Sequence, residues 1–330
     1  MNISEINYKR INTNNELNRL VDLMNVCFHK QVNVKYFQWK YFNNPAGKAI
    51  AFEAIYQQKT IAFYGVIPEK YTVDGKNYRV FQSVDTMTHP DFQKKGLFVI
   101  LAQLTYAEII KEYNSYFLIG FPGSQSYQGF IKKLSWKSTF IGSYIFTNKL
   151  FFYPIFFIKK KYSVVFKQLQ KNDETIPRYF SNTLQNEASI FKTISPELLY
   201  WKVFDNPIKK YNIVGIFENE KTIGMFIYLI DAKNTCEITW LHFLDEQKYF
   251  KHSHTLIDYL FKTTNKKFIY TWRPQNSQRL KLLRNLGFIY NPLKKGPFSA
   301  AFPFITKSHT TIFEVDWNQN NIDFQPIMLD

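Results

Sequence analysis

A segment that occurs twice constrains the fold of this chain more than any other feature. Residues 39–45 read Trp-Lys-Tyr-Phe-Asn-Asn-Pro, and residues 201–207 read Trp-Lys-Val-Phe-Asp-Asn-Pro. At the same offset of 162 residues, without a gap, nine of the 23 positions from 39 to 61 are identical. Shared composition would give far fewer matches, so the chain contains an internal duplication.

Both copies have the same succession of predicted elements. A helix ends at the Asn-Pro pair, because proline disfavours helical geometry in the residue before it. An alternating strand follows at residues 51–57 and 213–218, then a turn and a second strand at 60–67 and 222–230. The 330 residues also suffice for two domains of about 150 residues. We therefore predict two α/β or α+β modules, at residues 1–146 and 186–330, joined by a connecting segment at 147–185.

The composition favours a packed globular protein with a basic surface. Hydrophobic residues make up 45% of the chain, and the net charge is +16. A basic surface attracts nucleic acid, anionic lipid or phosphorylated small molecules. The lysines are spread along the sequence, with one short run at 159–161, and no nucleic-acid motif is present. We therefore expect no nucleic-acid partner.

The two cysteines, Cys27 and Cys236, indicate neither a disulfide framework nor a metal site, because no ligand spacing surrounds them. His252 and His254 are two residues apart, which is poor spacing for a metal on a helix, and we expect both at the surface. The N-terminus is polar without a signal-peptide core, and the most apolar run, residues 150–158, is too short to span a bilayer. We expect a cytoplasmic protein without a metal.

Residues 83–98, Ser-Val-Asp-Thr-Met-Thr-His-Pro-Asp-Phe-Gln-Lys-Lys-Gly-Leu-Phe, are the segment most informative about chemistry. Residues 84–88 predict a strand, Pro90 ends it, and the apolar spacing over 97–112 predicts a helix. The loop 93–96 therefore lies at a helix N-terminus, where free amides and the helix dipole favour anions. Gly96 lets a phosphate approach the backbone. A diphosphate fits this loop; the alternative is an ordinary glycine turn with solvated lysines.

This run, with His89-Pro90 followed by Gln93, Gly96, Leu97 and Phe98, resembles the acetyl-CoA signature of the GNAT superfamily of N-acetyltransferases. The long preamble from residue 66 to residue 76 resembles its tandem, enhanced-intracellular-survival-like subgroup. The resemblance implies an α+β chain of two tandem GNAT-like mixed-sheet modules, with acetyl-CoA as acyl donor. The cofactor-binding residues that it implies are Met87, Thr88, Gln93, Lys94, Lys95, Gly96, Leu97 and Phe98. Phe98 stands where a small residue is usual, so its ring must point away from the diphosphate.

The resemblance also implies direct attack by an acceptor amine, which needs a base and can use an acid. Asp85, on the signature strand, is the nearest carboxylate and the candidate base; a structural hydrogen-bonding role is the alternative. The family often has an acidic Tyr in its final helix, but Ile131 stands at the matching position. Tyr127, one turn earlier on the same face, is the candidate substitute, with packing as the alternative. Ser124 opens this helix, where it can cap the helix or touch the pantetheine arm.

The second copy has lost the features of the signature. Its loop at residues 245–251 contains no glycine, two carboxylates and two aromatic residues. These side chains would block a diphosphate, so we expect a degenerate second module that no longer binds the cofactor.

The connecting segment contains an aromatic run followed by three lysines, at residues 150–161. Such a run can lie on an anionic membrane surface. Aromatic packing between the modules is the alternative, and we favour it.

The predicted function is N-acetyl transfer from acetyl-CoA to a primary amine of a small molecule, such as an amino sugar of surface-polysaccharide synthesis. Two alternatives stay open: a FemABX-like acyl or aminoacyl transferase acting on a cell-wall precursor, and a non-catalytic CoA-binding protein with the GNAT fold. The sequence does not identify the acceptor, the acyl chain length or the oligomeric state.

Overall fold

The structure, a computed structural model, describes residues 5–158, 163–181, 190–274, 278–291, 301–309 and 322–328. The strands are β1 (Asn7–Arg10), β2 (Ile50–Tyr56), β3 (Lys59–Val73), β4 (Lys76–Thr88), β5 (Tyr116–Gly120), β6 (Lys137–Asn148), β7 (Val165–Gln168), β8 (Ile190–Lys192), β9 (Tyr211–Glu218), β10 (Lys221–Ile230), β11 (Cys236–Phe243), β12 (Phe268–Pro274), β13 (Ile289–Tyr290), β14 (Ala301–His309) and β15 (Ile322–Asp323). The helices are α1 (Asn18–Phe28), α2 (Val34–Phe37), α3 (Leu97–Tyr113), α4 (Ser124–Leu134), α5 (Lys149–Ile158), α6 (Thr175–Ser181), α7 (Pro196–Leu199), α8 (Glu246–Tyr249), α9 (Ser253–Thr264) and α10 (Gln278–Arg284).

The chain divides into two compact units that each draw on both halves of the sequence. Unit 1 comprises Met1–Thr139, Asp205–Ile208 and Pro303–Asp316. Unit 2 comprises Phe140–Phe204, Lys209–Phe302 and Trp317–Asp330.

Each unit contains a mixed sheet with the same strand order. In unit 1, strands β1 to β4 are successive antiparallel neighbours, β5 is parallel to β4, and β14 is antiparallel to β5. In unit 2, strands β7, β9, β10 and β11 repeat the antiparallel series, β12 is parallel to β11, and β6 is antiparallel to β12. The sixth strand of each unit thus comes from the other half of the sequence. The predicted fold class, two tandem mixed-sheet modules, is confirmed.

The duplication is visible in local detail. The segments Gln38–Phe42 and Tyr200–Phe204 are both π-helical turns. The β2–β3 turn has φ of 48° and 65° at its two residues, and the β9–β10 turn repeats both values. Left-handed φ at both turn residues suits the right-handed twist of a two-residue hairpin.

The sheet of unit 1 is covered on both faces. Successive residues of β3 alternate between two apolar clusters: Phe63 packs in a cluster with α1 and α2, and Tyr64 in a cluster with α3 and α4. Because both faces are buried, β3 reads as a continuous apolar run and not as an alternating one.

The predicted surface positions of His252 and His254 are wrong. The segment predicted as a loop forms α8 and a short 3₁₀ turn that leads into α9. This turn places both histidines inside unit 2, where the His252 ring lies 6.0 Å from the Tyr249 ring and its Nε2 lies 3.4 Å from Glu218 Oε1.

No helix in the described ranges combines the length and apolarity that a bilayer crossing requires. The same ranges contain no group of three or more His, Cys, Asp or Glu placed to hold a metal ion.

Candidate functional site

Strands β4 and β5 separate from each other partway along unit 1. Their parallel pairing runs from Phe81 opposite Leu118 to Ser83 opposite Gly120. Beyond that point β4 continues to Thr88, whereas the chain after Gly120 turns into α4. The diverging segments open the space in which the candidate site lies.

A β-bulge lies on β4 at this opening. Gly65 of β3 pairs with Val84, and Phe63 pairs with Met87, so two residues of β4 stand opposite Tyr64 alone. Asp85, one of these two, has a left-handed φ of 48°. A bulge takes the extra residue out of the regular ladder and re-aims its side chain.

The loop after β4 forms an open helix N-terminus, as the sequence predicts. Gly96 is the N-cap of α3, with a left-handed φ of 79°, and a Cβ built there would meet no atom within 4 Å. The amides of Val99 and Ile100 donate to the Gly96 carbonyl. Helix geometry leaves the amides ahead of them without an intrahelical acceptor, and such amides with the helix dipole form an anion site.

A first cavity of about 500 Å³ contains this loop. It extends along the end of β4 and reaches α4, and three lysines give its walls a positive charge. The volume lies within the range of small-molecule sites. The lining residues are Cys27, Phe28, Thr86, Met87, Thr88, Pro90, Phe92, Gln93, Lys94, Lys95, Gly96, Leu97, Phe98, Val99, Gln125, Ser126, Gly129 and Lys133.

A second cavity of about 420 Å³ adjoins the first, because both are lined by Phe28, Thr86, Gln125 and Ser126. It lies where β4 and β5 separate. Its remaining lining residues are Lys30, Ser83, Val84, Asp85, Gly120, Phe121, Pro122, Gly123, Ser124 and Phe130.

Asp85 is anchored from inside the protein. Its Oδ2 accepts a hydrogen bond of 2.7 Å from the Tyr41 hydroxyl and lies 2.5 Å from Lys40 Nζ. The Lys40 side chain is 1% exposed and the Asp85 side chain 14%. Burial and then the charge of Asp85 raise the pKa of Tyr41 well above its ordinary value, so this hydroxyl stays a donor. The carboxylate is thereby fixed with its remaining exposure toward the second cavity.

Cys27 lies in the first cavity, although the sequence places it far from the signature. Its thiol accepts a hydrogen bond from the backbone amide of Thr88, while burial raises the thiol pKa. No local motif in the sequence predicts that Cys27 lies beside the signature strand. This placement results from tertiary packing, in which α1 lies against β4.

The structure brings most of the predicted residues together. Met87, Thr88, Gln93, Lys94, Lys95, Gly96, Leu97 and Phe98 all line the first cavity, and Asp85 and Ser124 line the second. Tyr127 lines neither cavity; it is half-buried and packs against the apolar cluster of α3 and α4. The binding and catalytic roles of these residues stay predictions.

The start of α4 decides against one of the two roles considered for Ser124. The N-cap of α4 is Gly123, and Ser124 is the first helical residue, so the prediction that Ser124 caps the helix is wrong. The Ser124 side chain lines the second cavity instead. The Phe98 ring packs 5.0 Å from the Phe130 ring and fills the space beside Gly129, which turns it toward the core.

Several lining residues carry no local signal in the sequence. Lys133 adds charge to the first cavity from the last turn of α4, and Lys30 follows α1. Lys40 could have been found from the sequence. Both copies keep a lysine directly after the tryptophan, between apolar residues.

Unit 2 differs from unit 1 at both features of the site. The N-cap of α8 is Asp245, whose carboxylate accepts a 2.9 Å hydrogen bond from the Lys248 amide. At the repeat positions of Phe63 and Gly65, Met225 pairs with His242 and Ile227 with Trp240. The extra residue of β11 comes at the next step, where Thr239 lies between the partners of Ile227 and Tyr228. In unit 2 the helix start is therefore capped by the protein itself, and the bulge is displaced and contains no carboxylate.

Comparison with known proteins agrees with this geometry. Residues 7–137 match the family model described as an acetyltransferase (GNAT) domain. No curated protein sequence matches the chain significantly.

Solved structures with the same fold include three that span nearly all of the chain. A conserved protein of unknown function from Enterococcus faecalis V583, designated "Probable N-Acyltransferase", has a TM-score of 0.70 and 14% identity, covering 91% of this chain and 72% of its own. A tandem GNAT protein from the clavulanic acid biosynthesis pathway has a TM-score of 0.62 and 10% identity, covering 92% and 98%. The Saccharomyces cerevisiae N-myristoyltransferase with bound myristoyl-CoA has a TM-score of 0.59 and 16% identity, covering 94% and 80%. These likenesses show the fold.

Proposed function

Starting from residues 7–137 as a GNAT-family acetyltransferase domain in a tandem GNAT fold, we propose that this protein transfers acetyl from acetyl-CoA to a primary amine of a small molecule. The observation that carries the proposal is the open loop at Gly96. Its left-handed φ and the empty space around its Cβ position leave room for a phosphate at the N-terminus of α3.

The residues of the first cavity suit the chemistry of CoA. A diphosphate needs positive charge and amide donors, and Lys94, Lys95 and Lys133 stand around the loop. Met87 and Thr88 of β4 would hold the pantetheine arm, with Gln93 beside the loop and Leu97 and Phe98 at the start of α3. The bound cofactor would supply the activated acyl group as a thioester.

The chain's own groups would then orient the acceptor and receive its proton. Asp85 is the proposed base: Lys40 and Tyr41 hold its Oδ2, so the carboxylate cannot rotate freely, and it borders the second cavity. Fixed geometry of this kind contributes to rate by proximity and orientation. Ser124 and Ser126 would offer hydroxyls to a polar acceptor, which supports an amino sugar as the acceptor class.

The anchoring of Asp85 also favours a second candidate function. The Oδ2 of Asp85 already accepts from Tyr41 and pairs with the buried Lys40, so a structural role accounts for this carboxylate without catalysis. The protein would then be a CoA-binding member of the fold without catalysis. Tyr127, which lines neither cavity, offers this site no clear acid.

Calorimetric titration with CoA and acetyl-CoA, followed by a thiol-release assay with a panel of amines, tests both functions. Acetyl-CoA at 100 times its Kd should raise the free energy of unfolding by about 2.7 kcal/mol. Thiol release that depends on an added amino sugar supports the transferase. Binding with no release for any amine supports the second candidate, and no binding of either CoA compound refutes both.

A further inference from the structure

The two parallel strands of unit 2 separate soon after they pair. The pairing of β11 with β12 ends at Glu237 opposite Tyr270. Both strands continue past that point, β11 to Phe243 and β12 to Pro274. A gap therefore opens between them, as one does between β4 and β5 of unit 1.

A segment from the end of the described chain, Phe324–Ile327, fills this gap. The side-chain amide of Gln325 binds the backbone of Leu241. Its Oε1 accepts a 2.8 Å hydrogen bond from the Leu241 amide, and its Nε2 donates a 3.1 Å hydrogen bond to the Leu241 carbonyl. Gln325 is completely buried. One planar amide thus pairs with both polar groups of a single residue, as a neighbouring antiparallel strand does.

Strand β12 holds the segment from the other side of the gap. The Arg273 guanidinium donates to Gln325 Oε1 at 3.2 Å and to the Phe324 carbonyl at 3.4 Å. The buried Phe324 ring lies 5.9 Å from the Trp272 ring and 6.2 Å from the Phe140 ring. The gap therefore offers an apolar pocket for a ring and, next to it, paired polar groups for an amide.

The equivalent place in unit 1 is a cavity. Leu241 pairs with Phe226, which is the repeat position of Tyr64, and Tyr64 stands opposite Asp85 and Thr86 at the bulge of β4. Both of these β4 residues line the second cavity. The same point of the sheet therefore borders a small-molecule cavity in unit 1 and holds a peptide segment in unit 2.

We propose that the gap between β11 and β12 is a peptide-binding site, which the segment Phe324–Ile327 occupies as a separable ligand. The ligand class is a short peptide in which an aromatic ring is followed directly by a primary amide. The strand ahead of the segment, β15, has two residues, so the side-chain contacts provide much of the attachment. The segment can therefore leave the gap while the sheet stays folded. This site does not depend on the acyltransferase function.

Binding of a labelled synthetic peptide of residues 322–328 to the full chain, measured by fluorescence anisotropy, tests the proposal. In the unaltered protein the tethered segment competes at an effective concentration of roughly millimolar, so the peptide should bind weakly. Gln325→Ala weakens the tethered segment, because it removes the amide that pairs with Leu241. The peptide should bind this variant about tenfold more tightly, or better, than it binds the unaltered protein. A peptide that itself carries Gln325→Ala should bind the variant about tenfold more weakly than the intact peptide does.

The matched control is Gln168→Ala, which removes an exposed glutamine of unit 2 that pairs with Asn212 outside the gap. This variant should bind the peptide as weakly as the unaltered protein does. Hydrogen exchange followed by NMR adds a measurement that needs no variant. In the unaltered protein the Leu241 amide should exchange about tenfold faster, or more, than the slowest amides of β10, because its exchange needs only the release of the segment.

Four results would overturn the proposal. The first is a peptide that binds neither the unaltered protein nor Gln325→Ala, or binds both equally. The second is exchange of the Leu241 amide at the rate of the slowest β10 amides, since the segment then does not leave a folded sheet. The third is calorimetric binding of two CoA molecules per Gln325→Ala chain, which would make the gap a cofactor site. The fourth is a dimer of the unaltered protein that Gln325→Ala abolishes, since the occupant then belongs to a second copy.

Discussion

Replacing Gly96 with alanine separates the backbone strain of the loop from its role in binding. Gly75, in the β3–β4 turn, is a matched control: its φ is 77° against 79° at Gly96, and a Cβ at either position meets no atom within 4 Å. A left-handed φ costs an L-residue about 1–2 kcal/mol. Lower entropy of the unfolded chain offsets about 0.4–1 kcal/mol of that cost. We expect both variants to lose about 1 kcal/mol of unfolding free energy, measured by urea denaturation.

The two variants should differ in CoA binding. The new methyl group of Gly96→Ala enters the first cavity where a phosphate would approach the amides. Losing one hydrogen bond to a charged group costs about 1.5–3 kcal/mol, which weakens Kd by about 10-fold to 150-fold. Gly75 lines neither cavity, so Gly75→Ala should bind CoA as the unaltered protein does.

Calorimetric titration of both variants with CoA tests whether the loop at Gly96 binds the diphosphate. If Gly96→Ala keeps the unaltered Kd while losing the expected stability, the loop does not bind the diphosphate. If Gly75→Ala weakens binding equally, the effect arises from strain in the fold as a whole, and the argument from local contact is wrong.

Asp85→Asn should cost more unfolding free energy than Lys40→Met, because it leaves the more deeply buried charge without its carboxylate; breaking a buried pair costs about 3–5 kcal/mol. Chemical denaturation should show that the double variant recovers most of either loss, and additive losses would contradict the ion pair. Cys27 should react with a maleimide slowly at neutral pH and faster as pH rises toward its raised pKa, and CoA should block the reaction. Cys236 is buried and its pKa is raised to about 12, so it should not react. Labelling that persists in Cys27→Ser would therefore contradict the placement of Cys27 as the reactive thiol in the first cavity. Asp245→Ala should cost about 1 kcal/mol of stability through the lost cap and leave calorimetry at one CoA per chain, whereas two per chain would refute the degenerate second module.

Local patterns in the sequence predicted the loop of the first cavity because its constraints are local. Pro90 ends the strand, Gly96 supplies the left-handed turn, and the apolar spacing after it forms a helix that begins at Leu97 in the structure as predicted. The hairpin turn of each copy is equally local. The second was predicted at its left-handed residues, 219 and 220, whereas the first was predicted at 58–59 and lies one residue earlier, at Gln57 and Gln58.

The contacts around Asp85 could not be predicted in the same way. Lys40 lies 45 positions earlier, and nothing between the two residues indicates that the π-helical turn Gln38–Phe42 and the bulge meet. The placement of Cys27 against Thr88 likewise depends on the packing of α1 on β4. The exchange of the sixth strands, β14 in unit 1 and β6 in unit 2, leaves no local pattern, because either strand satisfies the same pairing geometry.

The two copies agree where the fold needs them to and differ where CoA would bind. Both keep the π-helical turn, the hairpin with paired left-handed residues, and a buried Trp-Lys pair. Within the described ranges of the two units, only unit 1 has an uncapped helix start behind a left-handed glycine and a bulge that carries a carboxylate. In unit 2 the carboxylate of Asp245 already accepts from the first turn of the helix, so an incoming phosphate would meet a negative charge instead of free amides. An anion site and an acidic cap compete for the same amide hydrogens, so one helix start cannot serve both. A helix start that is stabilised by its own acidic cap, as in the second copy, is therefore not expected to bind the diphosphate of CoA.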